Sequence, residues 1–100
     1  MHIIAYPMLR DFSIQHPTSE TSLNAWFKKV KKLDFSNFND LRAVFPSADF
    51  VKNAQDKSLT IFNIHGNNVR LIAAIHYNTK TLYIRHILTH ADYDKRRWKL

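Results

Sequence analysis

The residues best suited to chemistry lie in one segment, TLYIRHILTHADYDKRRW at positions 81–98. Two histidines, two tyrosines and several cations gather there, at the point where an alternating apolar pattern stops. Side chains of these types can cleave RNA. A general base takes the proton of a 2′-hydroxyl that attacks the neighbouring phosphorus, cations stabilise the developing charge, and an acid protonates the departing 5′-oxygen. Histidine suits proton transfer near neutral pH, and the planar fork of arginine suits a phosphate.

His90 is the first candidate for proton transfer. It follows Thr89, which can cap a helix together with Asp92, so it stands where a strand gives way to a helix. A strand end holds an exposed polar side chain in a firm position. A histidine that only closes the helix cap is the alternative. Tyr93 would lie about one helical turn away, where it could orient a base, donate to a phosphate or simply pack the helix onto the sheet.

Two arginines are candidates for binding a phosphate. Arg70 lies just after the turn HGNN on an otherwise apolar strand, where burial without a partner is costly, and a salt bridge to an aspartate is the alternative. Alternation along the last strand puts Arg85 and His86 on opposite faces of the sheet, so they are not expected to line one groove. Arg85 is the better phosphate candidate. His86 could be a hydrogen-bonded core residue or a groove residue, and His76 is expected to be structural.

The alternation in that strand divides its side chains between two faces. One face would carry Leu82, Ile84, His86 and Leu88. The other would carry Thr81, Tyr83, Arg85 and Ile87.

A basic tail follows the histidine and tyrosine motif. Its cations are Lys95, Arg96, Arg97 and Lys99. They could contact phosphates without regard to base sequence, or they could simply be a solvated end. Trp98 could cover the sheet edge or stack on RNA.

A metal site is not expected. His86 and His90 lie near Asp92 and Asp94 in the sequence, but a strand does not bring residues four apart together as a helix does. No cofactor is expected either.

Composition bounds the class of protein. The 100 residues, 45% of them hydrophobic, predict one folded domain over 1–100. Gly66 is the only glycine, so the glycine-rich loops of nucleotide-binding proteins are excluded, and the absence of cysteine excludes disulfides and thiolate chemistry. No stretch approaches a membrane span, so a cytoplasmic location is the default. The net charge of +7 favours nucleic acid as a partner, with an acidic protein as the alternative.

Apolar periodicity predicts the elements that position these residues. Strands are expected at 2–6, 58–64, 69–76 and 81–88, and Val51 could open another. Helices are expected at 8–15, 20–33 and 38–45. With a short C-terminal helix, the order is β-α-α-(α)-β-β-β. This order predicts an α+β fold, in which a small twisted antiparallel sheet has the N-terminal helices packed on one face.

Three segments carry a resemblance to a known family. YIRHILTHADYDK, FNIHGNNVRLIAAIHYN and LRAVFPSAD closely resemble the HigB-type toxins of bacterial toxin–antitoxin systems, which belong to the RelE-like mRNA interferase superfamily. The resemblance implies a RelE-like fold and a type II toxin: an endoribonuclease that cleaves mRNA in the ribosomal A site, without metal or cofactor, and so inhibits translation. It also implies a HigA-like antitoxin, which neutralises the toxin and binds operator DNA with it, and no role for a membrane.

The resemblance also implies roles for individual residues. His90 and Tyr93 match the motif THxxYD, and Arg70 lies on the strand where RelE-like enzymes place a transition-state arginine. Arg85 completes the expected catalytic set. The expected RNA-binding residues are Lys95, Arg96, Arg97, His65 and His86.

The sequence departs from the family at two places. Many HigB relatives have glycine where this chain has His65, and RelE has lysines on the strand before the turn, where this chain has Thr60, Phe62 and Ile64. Phosphate contacts from that strand would then have to come from elsewhere. A non-catalytic module of the same fold, which binds RNA, the ribosome or an antitoxin, is the competing interpretation.

Overall fold

Five strands form the sheet of this protein. In the computed structural model, which describes residues 1–66 and 68–99, they are β1 (His2–Ile4), β2 (Asp49–Lys52), β3 (Ser58–Ile64), β4 (Val69–His76) and β5 (Thr81–Thr89). Their order across the sheet is β1-β5-β4-β3-β2. Asn67, part of the turn predicted between β3 and β4, lies outside the described residues.

The pairing of the strands is mixed. From β2 to β5 each strand pairs antiparallel with the next, whereas β1 pairs parallel with β5 at the edge. A parallel pair needs a long crossover connection, and the helices between β1 and β2 lie within that connection. The α+β prediction is confirmed, and the edge strand makes the sheet mixed rather than antiparallel throughout. The strand that Val51 could open is present as β2, but it begins at Asp49, and the predicted order of elements did not include it.

The helices follow the predicted order. They are α1 (Tyr6–Gln15), α2 (Glu20–Lys32), α3 (Phe38–Val44) and α4 (His90–Asp94). Pro7 lies in the first turn of α1, where its missing N–H costs nothing, and Pro17 follows the end of that helix. Asn37 caps α3 by accepting the backbone N–H of Asp40 at 2.9 Å.

The main core lies between α2 and one face of the sheet. Leu23, Trp26 and Val30, spaced on one side of α2, are buried there as the periodicity predicts. The Trp26 ring meets the Phe62 ring edge-on, with 5.2 Å between their centroids. The N-terminal helices therefore cover one face, as expected.

The opposite face of the sheet, here called the far face, has an apolar cluster of its own. Its buried members are Leu59, Ile61, Ile72 and Trp98. Trp98 belongs to the segment after α4, which folds back across the sheet. The backbone N–H of Ala54 donates to the carbonyl of Lys99 at 2.7 Å, so this segment is also tied to the loop between β2 and β3. The far face is therefore partly covered.

A β-bulge in β5 changes the predicted alternation. His86 pairs with Ile72 and Ile84 pairs with Ala73, which leaves Arg85 as an extra residue between them. One extra residue shifts every later side chain to the other face. Ile87 accordingly lies in the main core, and Leu88 packs against the far-face cluster. The predicted facing is therefore wrong for the residues after Arg85, whereas Arg85 itself lies on the face opposite Ile84, as predicted.

The bulge also brings Arg85 and His86 to the same face. His86 lies opposite Ile72, a far-face residue, because paired residues of antiparallel strands share a face. Arg85 lines a cleft with Leu59 and Ala74, which are far-face residues too. The prediction that these two side chains point to opposite faces is wrong, because strict alternation does not hold through a bulge.

Truncation of Phe62 tests the main core. Phe62 is 1% exposed and lies within 5.2 Å of the rings of Trp26 and Phe45. Phe62→Ala should lower the free energy of unfolding by about 3–5 kcal/mol, because it removes these contacts and leaves a cavity. Ile14→Ala, at a site 70% exposed, should change it by less than about 0.5 kcal/mol. Urea unfolding followed by circular dichroism measures both, and equal losses would contradict this packing.

Candidate active site

The candidate residues meet where β5 ends and α4 begins. Thr89 caps α4, since its hydroxyl accepts the backbone N–H of Asp92 at 3.3 Å, and this confirms the predicted cap. The backbone N–H of His90 donates to the carbonyl of Asn68 at 3.0 Å. Val69, the first residue of β4, pairs with Thr89. The start of α4 is therefore fixed beside the start of β4, which carries Arg70.

The His90 side chain is held by the next turn of its own helix. Its Nδ1 atom lies 2.9 Å from Oδ2 of Asp94, and both side chains are at least half exposed. An imidazole that donates its Nδ1–H to a carboxylate keeps Nε2 available for proton transfer. Asp94 was not among the residues predicted for the site. The available signal was its spacing of four residues from His90 on a predicted helix.

Arg70, Tyr93 and Trp98 form a connected group, here called the Arg70–Tyr93–Trp98 stack. The guanidinium carbon of Arg70 lies 5.4 Å from the centre of the Tyr93 ring. The rings of Tyr93 and Trp98 are stacked, with centroids 5.1 Å apart and planes at 10°. The structure thus brings together Arg70 and Tyr93, two of the predicted catalytic residues. Packing of α4 onto the sheet, the alternative for Tyr93, is compatible with this position, since the ring also borders the far-face cluster.

Burial and nearby charges act on the Tyr93 hydroxyl. Burial raises its pKa above the ordinary tyrosine value, the charge of Arg70 lowers the pKa, and that of Asp49 raises it; Arg96 and Asp94 have smaller opposing effects. Because the net shift is upward, the phenol stays protonated at neutral pH. Tyr93 is therefore a hydrogen-bond donor under those conditions.

Arg85 also lies on the far face, but it lines a cleft and is not part of the Arg70–Tyr93–Trp98 stack. It lines a cleft of about 380 Å³ together with Lys57 and His76. The ring of His76 also meets that of Tyr83 edge-on at 5.2 Å. His86, next to the bulge, is half-buried, and its pKa is lowered first by burial and then by the charge of Arg85. His76, expected to be structural, in fact contributes to a surface cleft.

His65 lies away from the other candidates. Its Nδ1 atom is 3.4 Å from the Ser22 hydroxyl, and it borders a groove beside Trp26 and Lys29 of α2. This places it on the helix side of the sheet rather than on the far face. Its φ of 53° is in the left-handed region, which glycine adopts more readily than histidine does.

The basic tail is docked rather than loose. Lys95 Nζ lies 3.4 Å from an Asp92 carboxylate oxygen, Arg96 has a left-handed φ of 58°, and a 3₁₀ turn spans Arg97–Lys99. The side chains of Arg96 and Arg97 are exposed. The backbone is thus held against the protein while the cations face solvent.

The residues that the structure describes contain neither a cluster of metal ligands nor a helix that could span a membrane. No group of three or more histidine, aspartate or glutamate side chains in 1–66 and 68–99 is arranged to hold a metal ion. Within the same residues, no helix has both the length and the apolar character to cross a membrane.

The His86 pKa can be tested directly by NMR titration of its ring. Its midpoint should lie below the ordinary histidine value, and Arg85→Gln should raise it part of the way back because burial remains. Because the pKa of His86 is lower in the folded chain than in the unfolded chain, the unfolded chain binds more protons between the two values. The contribution of neutral His86 to the free energy of unfolding is therefore complete above the ordinary histidine pKa. It is lost as the pH falls through the lowered folded value. Arg97→Gln removes the same charge elsewhere and should move the midpoint much less.

Known proteins are similar to this chain along most of its length, including the candidate site. A family model described as HigB_toxin, RelE-like toxic component of a toxin-antitoxin system, matches residues 19–96. The chain is 36% identical over 94 residues to the mRNA interferase toxin HigB of Escherichia coli (strain K12), which covers 94% of this chain and 88% of that protein. It is 32% identical over 95 residues to the mRNA interferase HigB of Escherichia coli O6:H1 (strain CFT073), with coverage of 95% and 90%.

A relative from another genus is similar to this chain over the same length. The mRNA interferase HigB of Shigella flexneri is 36% identical over 94 residues, which span 94% of this chain and 88% of the relative. The family model matches more than half of the chain and includes α2, β2 to β5 and α4. The chain therefore belongs to the HigB family of RelE-like toxins, the toxic components of toxin–antitoxin systems.

Proposed function

We propose that this protein is an mRNA interferase, a metal-independent endoribonuclease that cleaves mRNA in the ribosomal A site and so inhibits translation. The observation that carries the proposal is the junction of β4, β5 and α4. There a histidine held by a carboxylate begins α4 beside the start of β4, and β4 carries an arginine that contacts the tyrosine ring of α4. The relatives in Escherichia coli and Shigella flexneri that are named mRNA interferases support the same activity.

His90 is the proton-transfer residue in this proposal. Asp94 holds Nδ1, so Nε2 faces the reaction, where it exchanges a proton with the 2′-hydroxyl or the departing 5′-oxygen. The attack of the 2′-oxygen on phosphorus forms a 2′,3′-cyclic phosphate and releases the 5′-oxygen with a proton. In this proposal the His90 imidazole, held by Asp94, carries out the proton transfer.

Arg70 and Tyr93 are proposed to bind the scissile phosphate. The guanidinium offers a planar pair of N–H donors to the non-bridging oxygens, whose charge grows in the transition state. The protonated Tyr93 hydroxyl adds a further donor. Arg85 is proposed to bind phosphate on the same far face, in the cleft that it lines with Lys57 and His76.

Positive charge supplies much of the affinity for RNA. The exposed side chains of Lys95, Arg96 and Arg97 follow α4 directly, so they can contact phosphates beside the scissile bond. His65 and His86 are proposed as further RNA contacts. For His65 this contact would be on the helix side, where it could meet the ribosome but not the same groove.

The proposed partners follow from the family. A HigA-like antitoxin would neutralise the toxin, and operator DNA would be bound only by the complex of the two. The net charge of +7 suits both an acidic antitoxin and RNA. An activity on translating message places the protein in the cytoplasm.

Primer extension on a reporter mRNA in a cell-free translation system tests the activity, using wild type and His90→Ala with and without ribosomes. The wild type should cut translated message, and His90→Ala should be slower by about 10²–10⁴-fold because the proton transfer is lost. Circular dichroism checks that the variant is folded. Cuts on free RNA would support the nuclease activity but contradict the requirement for the ribosome. No cuts by folded wild type would favour a non-catalytic RNA-binding module.

Asp94 and Asp92 form a matched pair of variants for the role of the carboxylate. Both lie in α4, but Asp94 contacts His90 whereas Asp92 contacts Lys95. Asp94→Asn should slow cleavage by about tenfold or more, because His90 loses the group that orients it, while Asp92→Asn should cost less than about threefold. The same primer-extension assay measures both rates. Equal rates for the two variants would show that the contact with His90 plays no part in the reaction.

A further inference from the structure

Trp98 is buried although it lies within a basic tail. It is 7% exposed and packs in the far-face cluster with Leu59, Ile61 and Ile72. In this position the indole ring covers the sheet and is not available to stack on ribosomal RNA. The sequence predicted that Trp98 would either cover the sheet edge or stack on RNA, whereas the structure packs it on the far face against β3 and β4.

Two separate contacts join Trp98 to Tyr93. The two rings stack at 5.1 Å, and the indole Nε1–H donates to the carbonyl of Tyr93 at 3.0 Å. The first contact orients the Tyr93 side chain and the second orients its backbone. Tyr93 in turn lies 5.4 Å from the guanidinium of Arg70. A path of direct contacts therefore runs from the far-face cluster to the residue proposed to bind the phosphate.

These contacts matter because the short helix α4 and the long Arg70 side chain are not rigid by themselves. The helix α4, which carries Tyr93, has only five residues, and a helix this short is not stable alone. The Arg70 side chain has several rotatable bonds, and ordering it costs up to about 2 kcal/mol. A ring held in a constant position restricts where the guanidinium can lie. Small misplacements at a reacting phosphate reduce the rate strongly.

We infer that Trp98 is a positioning residue, which holds Tyr93 and, through it, the Arg70 guanidinium where the scissile phosphate must lie. This inference rests on the proposed function, since the phosphate is that of the RNA substrate. In this role Trp98, which is 7% exposed, does not need to touch the substrate. Two contacts hold Trp98 in place: its ring packs in the far-face cluster, and the Ala54 N–H donates a hydrogen bond to the carbonyl of the next residue, Lys99.

A variant series separates positioning from binding. Single-turnover cleavage and equilibrium binding are measured on the substrate that wild type cleaves, either ribosomes programmed with a short mRNA or the free RNA. Trp98→Ala should slow cleavage by about tenfold or more and change the dissociation constant by less than about threefold. Trp98→Phe, which keeps a ring against Tyr93, should stay within about threefold of the wild-type rate. A loss in Trp98→Phe equal to that in Trp98→Ala would overturn the role of the ring stack.

A double-mutant cycle tests whether Trp98 acts through Tyr93. In a Tyr93→Ala background, Trp98→Ala should slow cleavage by less than about threefold further, because the group that it positions is already absent. An effect as large as in the wild-type background would overturn the inference. The Tyr93 hydroxyl gives a second readout, independent of activity. NMR titration of labelled tyrosine should show its pKa falling towards the ordinary value in Trp98→Ala, since that change exposes the ring.

Two controls address folding. Trp98→Leu keeps the apolar cluster filled but lacks a ring, so it tests the same loss if Trp98→Ala does not fold. Val30→Ala removes buried volume from the main core and does not contact the stack, so it should cleave at the wild-type rate when circular dichroism shows it folded. Wild-type rates in both Trp98→Ala and Trp98→Leu would overturn the inference.

The outcomes also separate this inference from the proposed function. If Arg70→Ala and His90→Ala lose cleavage while the Trp98 variants keep it, the positioning role alone fails. If Arg70→Ala and His90→Ala cleave like wild type, the proposed active site fails and the positioning role fails with it.

Discussion

The antiparallel ladder between β4 and β5 connects the core of this protein to its site. Every residue of β4 has a partner on β5, and the pair is covered by the main core on one face and by the far-face cluster on the other. Burial on both faces leaves little freedom for the ladder to slip, because a shift of one residue would exchange the two apolar sets. The same ladder places Arg70, near the start of β4, beside the end of β5, where His90 begins α4.

The far face combines apolar contact with positive charge. Trp98 and Tyr93 lie over Ile72, while Arg70 and Arg85 reach the same face from neighbouring strands. An apolar surface beneath a cation lowers the effective dielectric around it, which strengthens its attraction to a phosphate. Ring contact also limits the freedom of the guanidinium. The tail that covers the sheet therefore lies against the candidate site.

Local chemistry made much of the fold predictable. The apolar stripe of α2, the cap formed by Thr89 and the proline after α1 depend on neighbours within a few residues, so their effect can be read from spacing alone. The position of His90 at the start of a helix followed from the same cap. Tyr93 was expected one turn away, and the contacts of both residues with other elements became visible only in three dimensions.

The sequence by itself determined the α+β class, the order of the elements apart from β2, and the region in which the histidine, tyrosine and arginine candidates lie, because these depend on periodicity and local capping. Only the tertiary structure decided the parallel pairing of β1, the bulge at Arg85 and the burial of Trp98. A bulge changes the facing of a strand without changing its composition, and a tryptophan in a basic tail gives no local sign of the sheet on which it packs. These features arise from contacts between residues far apart in the chain, and the spacing of neighbours carries no record of such contacts.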